Sequence, residues 1–406
     1  MNNQQRLEIT FLQGNCLDKI QELDDNSIDC VVSSPPYWGL RDYGVEGQLG
    51  LETTYQEHIK NIVEIFRAMK PKLKETATIW LNYGDSYAAT VNVTKVKDIK
   101  NDDRGFVDKP FSTIQGVLKP KDLVMIPNRI AIALQDDGWW IRSEIIWHKP
   151  NPMPESVKDR PTSAHEKIWL ITKSKKYYYD ADAIRVPQKQ DSIARAGRDV
   201  WKNNKTDSGN YSIPNVDSAK KLNQKVLDTV AEGKIPMANK RNVWTVTTKP
   251  FKGAHFATFP KDLIEPCIKA GCPEKICVEC GKPYIRKIKI GNYNKEYQKS
   301  CGGNVDGKYT GKSTKNYKGA KAQNPSETKK RILESLKEKI DLGLHKNCEC
   351  NTQDYKPGIV LDPFGGSGTT GIVSKHLKRK AILIELNEEY ISIAKKRINK
   401  EFGLFK

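Results

Sequence analysis

Two short polar segments, far apart in the chain, carry the residue types that could do chemistry. The first follows the largely apolar residues 28–33 and consists of Ser34, Pro35, Pro36 and Tyr37. The second follows the apolar residues 359–361 and contains Asp362, Pro363, Phe364, Gly366, Gly368 and Thr369. Each apolar run predicts a buried strand, and loops at the carboxyl ends of parallel strands are where α/β enzymes bind ligands. We therefore expect these two loops to hold two ligands side by side.

The proline-rich loop suits the binding of an aromatic amine. The lone pair of such an amine is conjugated into its ring, so oxygen acceptors on its two hydrogens are needed to make it nucleophilic. The hydroxyl of Ser34 and the carbonyl of Pro35 are candidate acceptors, and two consecutive prolines hold the loop extended. Tyr37 offers a flat face on which a nucleobase can stack. Taken alone, the same four residues are also compatible with an ordinary rigid turn.

The glycine-rich loop has the features of a nucleoside site. Its glycines let the backbone approach a ligand, and the following helix presents unpaired N–H groups. Glu385 ends the next predicted strand, where a carboxylate can accept hydrogen bonds from both ribose hydroxyls. Residues 366–371 also satisfy G-x-G-x-x-G, so a dinucleotide oxidoreductase is an alternative. The carboxylate of Asp362 would repel a pyrophosphate but tolerates a sulfonium, which favours S-adenosylmethionine over NAD.

The elements that must position these loops alternate between strand and helix patterns. Strands are predicted at residues 7–12, 28–33, 77–81, 139–147, 167–172, 359–361 and 381–386. Helices are predicted at residues 16–23, 54–70, 124–134, from 261 onward and 389–398. This alternation predicts an α/β fold with a parallel, doubly wound sheet. Because the last helix lacks a following strand, we expect strand 7–12 to take that place in a circularly permuted, Rossmann-like sheet.

The two motifs, in this order, resemble those of the β class of DNA amino-methyltransferases. The resemblance covers residues 7–180, 250–271 and 358–401. It implies that the proline-rich loop holds the target amine and that Glu385 binds the ribose. It further implies that the glycine-rich loop lines the pocket for the methionine and adenosine parts of the cofactor. The residues expected to contact the cofactor are Asp362, Phe364, Gly366 and Gly368, with Pro363 and Thr369 beside them.

Two further cofactor contacts follow from the same resemblance. Residues 255–260 are similar to another cofactor motif of the family, in which Phe259 would lie near the methionine moiety. The family often has Gly-Asp after its first strand, whereas this chain has Gly14 and Asn15. We expect any contact with the adenine there to be made by the Asn15 amide.

The target base is indicated by Ser34. Serine at this motif position is common in the family's cytosine-N4 enzymes and aspartate in its adenine-N6 enzymes, so adenine N6 remains the alternative. Methylation at cytosine C5 needs a cysteine nucleophile. The Pro266-Cys267 pair lies in a helix-like segment, so we interpret Cys267 as a packing residue. A non-catalytic, zinc-containing DNA-binding protein is a more distant hypothesis.

The cysteines of residues 272–350 suggest a metal site. Cys277 and Cys280 form a C-x-x-C turn, and Cys348 and Cys350 form a second close pair. Four thiolates in two pairs suit a structural Zn²⁺ with no open position. Cys272, with the first pair, also has an iron–sulfur spacing, and unliganded thiols are the third possibility. Cys16, Cys30 and Cys301 are expected to be free of metal.

Composition indicates a polyanionic partner. The chain has 406 residues, a net charge of +19 and an isoelectric point near 9.3. That charge favours double-stranded DNA as the partner. The alternative interpretation is a soluble, lysine-rich protein whose charge serves no polyanionic partner. The type of enzyme suggests a cognate restriction endonuclease encoded separately.

The chain is expected to divide into functional regions. Residues 1–182 would form the catalytic half, and residues 251–271 with 351–406 the cofactor-binding half. Residues 183–250 would form an irregular target-recognition region, in which Trp201, Tyr211 and Trp244 are candidates to touch bases; a disordered linker is the alternative for 190–235. Residues 272–350 would form a lysine-rich, zinc-binding insert with a charged helix near 326–341.

Two remaining features concern the compartment and an acid–base candidate. No run approaches the roughly 18 apolar residues that a membrane span needs, and the N-terminus has no signal-peptide core. We therefore expect a cytoplasmic protein with reduced cysteines. His165 and Glu166 could form an acid–base pair, but a structural contact is the favoured interpretation because direct methyl transfer needs no base before attack.

Overall fold

The chain forms two compact units. The computed structural model describes residues 7–90, 107–189, 191, 193, 226–227, 230, 235–248, 258–290 and 339–403. The larger unit comprises residues 1–184, 241–284 and 346–406, and the smaller comprises residues 185–240 and 285–345. Both candidate loops and the four paired cysteines belong to the larger unit.

The helices and strands of the described residues are as follows. The helices are α1 Cys16–Gln21, α2 Tyr55–Met69, α3 Ile126–Asp136, α4 Lys261–Gly271, α5 Thr369–His376 and α6 Glu388–Glu401. The strands are β1 Ile9–Gln13, β2 Ile28–Ser33, β3 Arg41–Asp42, β4 Leu73–Tyr83, β5 Val107–Asp108, β6 Trp140–His148, β7 His165–Thr172, β8 Val186–Pro187, β9 Met237–Ala238, β10 Val243–Thr245, β11 Ile276–Cys277, β12 Ile285–Ile290, β13 Lys339–His345, β14 Tyr355–Lys356, β15 Ile359–Asp362 and β16 Lys380–Glu385. None of the helices in these residues is long and apolar enough to cross a bilayer.

Eight of the strands form one sheet, in the order β1-β16-β15-β2-β4-β7-β6-β10. All neighbours are parallel except that β7 is antiparallel to both β4 and β6. The expectation of a wholly parallel sheet is therefore wrong at β7. Residues 149–164, which join β6 to β7, contain no helix, and a plain loop can return a strand only in the antiparallel direction.

The N-terminal strand lies beside the C-terminal βα unit, as expected from the order of elements. Strand β1 pairs in parallel with β16, with Ile9 opposite Ala381 and Gln13 opposite Glu385. This pairing places β1 at the edge of the sheet beside the C-terminal βα unit. It also brings Gly14 and Asn15 to the same edge of the sheet as Glu385.

Helices cover both faces of the sheet. On one face, Val31 of β2 belongs to a core with Ile20 of α1, Ile62 of α2 and Ile130 of α3. On the other face, Val32 of the same strand belongs to a core with Leu263 and Ile268 of α4 and Val373 of α5. The alternation of side chains along a buried strand thus divides the apolar residues into two cores, and the sheet is doubly wound.

Helix α2 illustrates how local sequence sets an element. Thr54 and Glu57 form a capping box, in which the Glu57 N–H donates to the Thr54 hydroxyl at 3.1 Å and the Thr54 N–H donates to the Glu57 carboxylate at 3.2 Å. Ile62, Phe66 and Met69 follow at helical spacing and are buried against the sheet. This packing also buries the polar residue His58 beneath the proline-rich loop.

Two expectations about the inserted regions require correction. Val243–Thr245 is the edge strand of the central sheet, so the end of the expected recognition region belongs to the larger unit. Trp244 is 5% exposed and packs in the core instead of facing bases. Residues 339–341 of the expected charged helix lie in strand β13, which pairs with β12. The rest of that helix, Trp201 and Tyr211 lie outside the described residues.

Candidate functional site

Both candidate loops border a single cavity of about 530 Å³ in the larger unit. It opens where strands β1, β2, β15 and β16 end, because the lining residues follow directly on each of these strands. The predicted residues that line it are Asn15, Ser34, Pro35, Pro36, Tyr37, Phe259, Asp362, Pro363, Phe364, Gly366, Thr369 and Glu385. A cavity of this size can bury a cofactor-sized ligand.

Asp362 joins the two loops. Strands β2 and β15 are parallel neighbours, with Leu361 opposite Val31. The hydroxyl of Ser33, at the end of β2, donates to Asp362 Oδ1 at 2.6 Å, and the hydroxyl of Thr370 donates to Oδ2 at 2.6 Å. Two stretches that are distant in sequence therefore meet at one edge of the sheet, held by a direct hydrogen bond.

The Asp362 carboxyl is buried, with a relative exposure of 1%. Burial raises its pKa from 3.8 to about 7, and the nearby charge of Glu385 acts in the same direction. The donors from Ser33, Thr370 and the Phe364 N–H lower the pKa but do not outweigh the loss of solvation. The carboxyl is thus an anchor of the loop whose ionisation is costly in the absence of a ligand.

The glycines of the second loop have different roles. Gly366 and Gly368 have φ angles of +49° and +75°, values that favour glycine. Gly366 lines the cavity. Gly368 is not among the lining residues and precedes α5, where an added Cβ would lie 3.0 Å from the Ala394 Cβ of α6. Its contact is with the neighbouring helix, which positions the loop.

Glu385 and Asn15 are held by the backbone. Glu385 Oε2 accepts the N–H of Gly366 at 2.7 Å, and Oε1 accepts the N–H of Asn387 at 2.9 Å. Burial raises the pKa of Glu385, opposed by these N–H donors. Asn15 Oδ1 accepts the N–H of Leu17 at 2.9 Å and caps α1. Both side chains are therefore pre-oriented at the rim of the cavity.

A chain of hydrogen bonds runs from the proline-rich loop to Glu166. The hydroxyl of Ser34 donates to the Tyr37 oxygen at 3.3 Å, and the Tyr37 hydroxyl donates to Glu166 Oε2 at 2.9 Å. Asn82 Nδ2 donates to the same carboxylate oxygen at 3.1 Å, and Lys149 forms an ion pair with the other. The favoured interpretation of Glu166 as a structural contact agrees with this arrangement, whereas its neighbour His165 is exposed.

One face of the Tyr37 ring is already occupied. It stacks on Tyr83, with ring centroids 4.4 Å apart and planes inclined by 28°. Burial raises the pKa of Tyr37 well above 10, and the charge of Glu166 adds to this effect. Tyr83 does not line the cavity. Its hydroxyl forms a hydrogen bond with His58 Nε2 at 2.8 Å and accepts the Trp38 N–H at 2.8 Å. The loop thus rests on a buried polar network.

Comparison with known proteins identifies the family. The profile of the DNA methylase family of N6 and N4 methyltransferases matches residues 28–278 and 283–396. The type II methyltransferase M.SmaI of Serratia marcescens is 35% identical over 388 residues, covering 96% of this chain and 90% of the relative. M.Cfr9I of Citrobacter freundii is 35% identical over 392 residues, covering 97% of this chain and 88% of the relative.

The chain belongs to the DNA methylase family. It is a DNA amino-methyltransferase of the β class, and its cofactor is S-adenosylmethionine. The oxidoreductase interpretation of the glycine pattern is thereby wrong. Among solved structures, PvuII DNA methyltransferase (cytosine-N4-specific) aligns with a TM-score of 0.48 and 14% identity over 98% of this chain and 92% of that chain.

The methyltransferase has site residues that the sequence did not single out. Residues 40–52 supply part of the cavity wall, among them Arg41, Tyr43, Gln48, Leu49 and Glu52. The glycines at 44, 47 and 50 were the available signal, because closely spaced glycines mark a loop in a segment without helical or strand periodicity. In the structure each of them has a positive φ. Asn387 and Tyr390 line the wall near Glu385. Asn387 lies two residues after β16 and Tyr390 lies in the first turn of α6, positions that could have indicated them.

The four paired cysteines of the methyltransferase form a cluster. The sulfurs of Cys277, Cys280, Cys348 and Cys350 all lie within 4.8 Å of one another. Backbone N–H groups of Cys280 and Glu279 donate to the Cys277 sulfur and lower its pKa to about 7. Among the described residues, no other cysteine belongs to this group. Cys301 lies outside the described residues.

The remaining cysteines occupy other surroundings. Cys272 is fully buried and its thiol contacts the Pro273 carbonyl at 3.9 Å, so the iron–sulfur spacing that includes it has no counterpart in the cluster. Cys267 is fully buried within α4, in agreement with its interpretation as a packing residue. Burial raises the pKa of Cys16 and of Cys30 to about 12.

Proposed function

We propose that this methyltransferase transfers a methyl group to the exocyclic N4 of cytosine in double-stranded DNA. The observation that carries the proposal is the Ser33–Asp362 hydrogen bond, 2.6 Å long, which unites an amine-binding loop and a cofactor loop in one cavity. The target base would be extruded from the duplex, since its amino group is otherwise paired and stacked.

The direction of the Ser34 hydroxyl supports an amine as its ligand. A carboxylate that is paired with Lys149 can only accept, so the Tyr37 hydroxyl donates its hydrogen bond to Glu166. The Tyr37 oxygen is then an acceptor for Ser34. This leaves the lone pairs of Ser34 free to accept a hydrogen from the amine, with the Pro35 carbonyl as the second acceptor. Tyr37 would present its remaining face to the base, and Pro36 would stiffen the loop.

The other wall of the cavity fits the cofactor. Glu385, already oriented by two N–H donors, would accept the ribose hydroxyls. Asn15 would contact the adenine with its amide, and Phe259 and Phe364 would pack against the methionine and adenosine moieties. Asp362, Pro363 and Thr369 would lie beside the sulfonium of the cofactor. Its positive charge would offset the cost of ionising the buried carboxyl of Asp362.

The chain's contribution to the reaction would be positioning and electrostatic preparation. When bound, S-adenosylmethionine supplies an electrophilic methyl group on a positively charged sulfur. Ser34 and Pro35 would hold the amine nitrogen in line with that methyl group and draw its lone pair out of the ring. The excess proton would leave after the new N–C bond has formed, so no side chain has to remove it beforehand.

The identity of the base is the finer part of the proposal. Ser34 at the first position of the loop favours cytosine N4, as in the resemblance described above, and adenine N6 is the alternative. An aspartate at this position would bring a second negative charge close to Glu166, which a neutral serine avoids.

The biological setting follows from the relatives. M.SmaI and M.Cfr9I are named type II methyltransferases. We infer that this chain likewise protects DNA against a cognate, separately encoded endonuclease. Sequence recognition would fall to residues 185–240, with help from the lysine-rich insert, because residues 185–240 and 285–345 group together in the smaller unit.

Nucleoside analysis tests the proposal. Plasmid DNA is incubated with the full chain and methyl-labelled S-adenosylmethionine, digested to nucleosides and separated by mass spectrometry. We expect the label in N4-methyldeoxycytidine. Label in N6-methyldeoxyadenosine would reject the base assignment, and the absence of label with any duplex would reject the methyl transfer. A duplex in which every cytosine is replaced by 5-methylcytosine is the control for the position of transfer. Its C5 positions are blocked and its N4 positions are free, so it should still accept the label.

A further inference from the structure

We propose that the four clustered cysteines bind one structural Zn²⁺, which joins the two segments of the larger unit that flank residues 285–345. The ligands would be Cys277 and Cys280 from one side and Cys348 and Cys350 from the other. Nothing in the methyl-transfer chemistry requires these residues, and none of them lines the cavity described above.

The geometry of the cluster fits a single tetrahedral ion. With zinc–sulfur bonds of about 2.3 Å, tetrahedral coordination sets neighbouring sulfurs roughly 3.8 Å apart. The observed limit of 4.8 Å between any two of the four sulfurs is compatible with that arrangement after small side-chain adjustments. An iron–sulfur cluster would spread its thiolates over two or more irons and needs a wider cage. Four protein ligands also leave no open position, so the ion would be structural.

The backbone around each pair is shaped for ligation. Gly281 follows the first pair with a φ of +72°, and its N–H donates to the Cys277 carbonyl at 3.0 Å. This bond closes a tight turn, and both of its cysteines have their sulfurs in the cluster. On the other side, Lys346 Nζ donates to the carbonyls of Thr352, at 2.6 Å, and of Cys350. The lysine orders the second turn and brings a positive charge beside a zinc–thiolate group of net negative charge.

The cluster lies where the chain leaves the larger unit and returns to it, so a metal ion there would stabilise this junction. Strands β11 and β14 pair over only two residues each, with Cys277 opposite Tyr355. The chain leaves the larger unit after Tyr284 and returns to it at Lys346. So short a ladder is a weak closure for such a long excursion, and a metal ion adds a strong cross-link at its base.

The cluster also lies close in sequence to the cofactor loop. Strand β14 ends at Lys356, and β15 begins at Ile359 and ends at Asp362. Gly358, between them, donates its N–H to the Pro273 carbonyl at 3.2 Å, in the segment that precedes β11. Zinc would therefore fix the entry of the strand that carries the central carboxyl of the site.

Metal analysis of the purified full chain tests the inference. We expect about one zinc per chain and less than one iron per ten chains. Titration of the native protein with a mercurial reagent, in the presence of a zinc-sensitive dye, should release one zinc as four thiols react. This measurement uses the unmodified chain, so it does not depend on whether any variant folds. Four freely reactive thiols in a folded chain without metal, or iron in place of zinc, would overturn the inference.

Substitutions identify the ligands. Cys280→Ser and Cys348→Ser each remove one sulfur from a different pair and should lose most of the bound zinc after dialysis. Cys16→Ser is the matched control, since Cys16 lies outside the cluster and its substitution should leave the zinc content unchanged. Cobalt(II) in place of zinc should give intense thiolate-to-metal absorption in the unmodified chain and not in the two ligand variants. Equal zinc content in all variants would refute the assignment.

Discussion

At the scale of single residues, Glu166 determines which way the Ser34 hydroxyl points. Its carboxylate accepts a hydrogen bond from the Tyr37 hydroxyl, whose oxygen in turn accepts one from the Ser34 hydroxyl. Gly84 leaves room for this contact, because an added Cβ would lie 2.8 Å from the Tyr37 ring and 3.2 Å from the Glu166 carboxylate. Glu166 is thus a positioning residue that acts through Tyr37.

Glu166→Gln should lower the rate of methyl transfer about fivefold and leave the affinity for S-adenosylmethionine unchanged, since one hydrogen bond is worth about 1 kcal/mol. The rate is measured by single-turnover transfer of a labelled methyl group, and the affinity by calorimetry. Glu144→Gln is the matched control, because Glu144 pairs with Lys167 at 2.7 Å on the neighbouring strand and does not touch the loop. A loss of affinity equal to the loss of rate would contradict a positioning role.

Asp362 makes stability depend on pH. Its pKa rises from 3.8 in the unfolded chain to about 7 in the fold, so the folded protein holds this proton more tightly. The stabilisation is complete below the unfolded pKa and is lost as the pH rises through the folded pKa. Compared with Asp362→Asn, the wild-type free energy of unfolding should therefore fall from about pH 4 to 7, by at most about 1.4 kcal/mol per pH unit.

Urea unfolding of both proteins without cofactor measures this difference at each pH. Asparagine keeps the shape of the side chain, and the hydroxyls of Ser33 and Thr370 can donate to its oxygen or accept from its amide. A stability difference that stays constant between pH 4 and 7 would show that the carboxyl is not held protonated by burial.

At the scale of elements, the glycine loop depends on the packing of α5 against α6. Gly366 and Gly368 both have left-handed backbones, but only Gly368 faces the Ala394 Cβ, at 3.0 Å from an added Cβ. Strain from the positive φ should cost each alanine variant about 1 to 2 kcal/mol. The two glycines therefore form a matched pair that separates strain from packing.

Gly368→Ala should be less stable than Gly366→Ala by roughly a further 1 kcal/mol, because its Cβ must push the two helices apart. Urea unfolding without cofactor gives both values. Equal losses would mean that the loop geometry alone, and not the helix contact, requires Gly368.

The sequence predicted most elements near the site, and the failures have local causes. The segments at Ile28–Ser33, Tyr55–Met69 and Lys380–Glu385 have strong periodicity or unbroken apolar runs, and they formed as expected. Strand direction is not encoded in such patterns, so β7 was expected to be parallel. Val243–Thr245 is too short and too exposed on alternate residues to be distinguished from a loop.

At the scale of the whole molecule, the order of the strands brings two distant motifs together. Adjacency of β2 and β15 could be predicted from the loops that follow them, because an enzyme with two ligands needs both at one edge. The contribution of residues 40–52 could not, since a loop wall has no periodicity and is positioned by contacts such as Gln48 Nε2 with the Arg41 carbonyl, at 3.1 Å.

The net charge of +19 should make DNA binding strongly dependent on salt. If about six phosphates are neutralised, the affinity for a duplex should fall about a thousandfold between roughly 50 and 200 mM salt. Binding of S-adenosylmethionine to the same protein, measured over the same range, is the internal control and should change little. An affinity for DNA that varies no more than that for the cofactor would contradict a phosphate-dominated interface.

The central claim is that one cavity has a wall for the amine and a wall for the cofactor. Ser34→Ala tests it most directly, when cofactor affinity and single-turnover methyl transfer are measured on the same preparation. The account predicts an affinity for S-adenosylmethionine within about threefold of wild type and a transfer rate at least a hundredfold lower. Transfer at the wild-type rate would show that the proline-rich loop does not hold the amine, and would contradict the account.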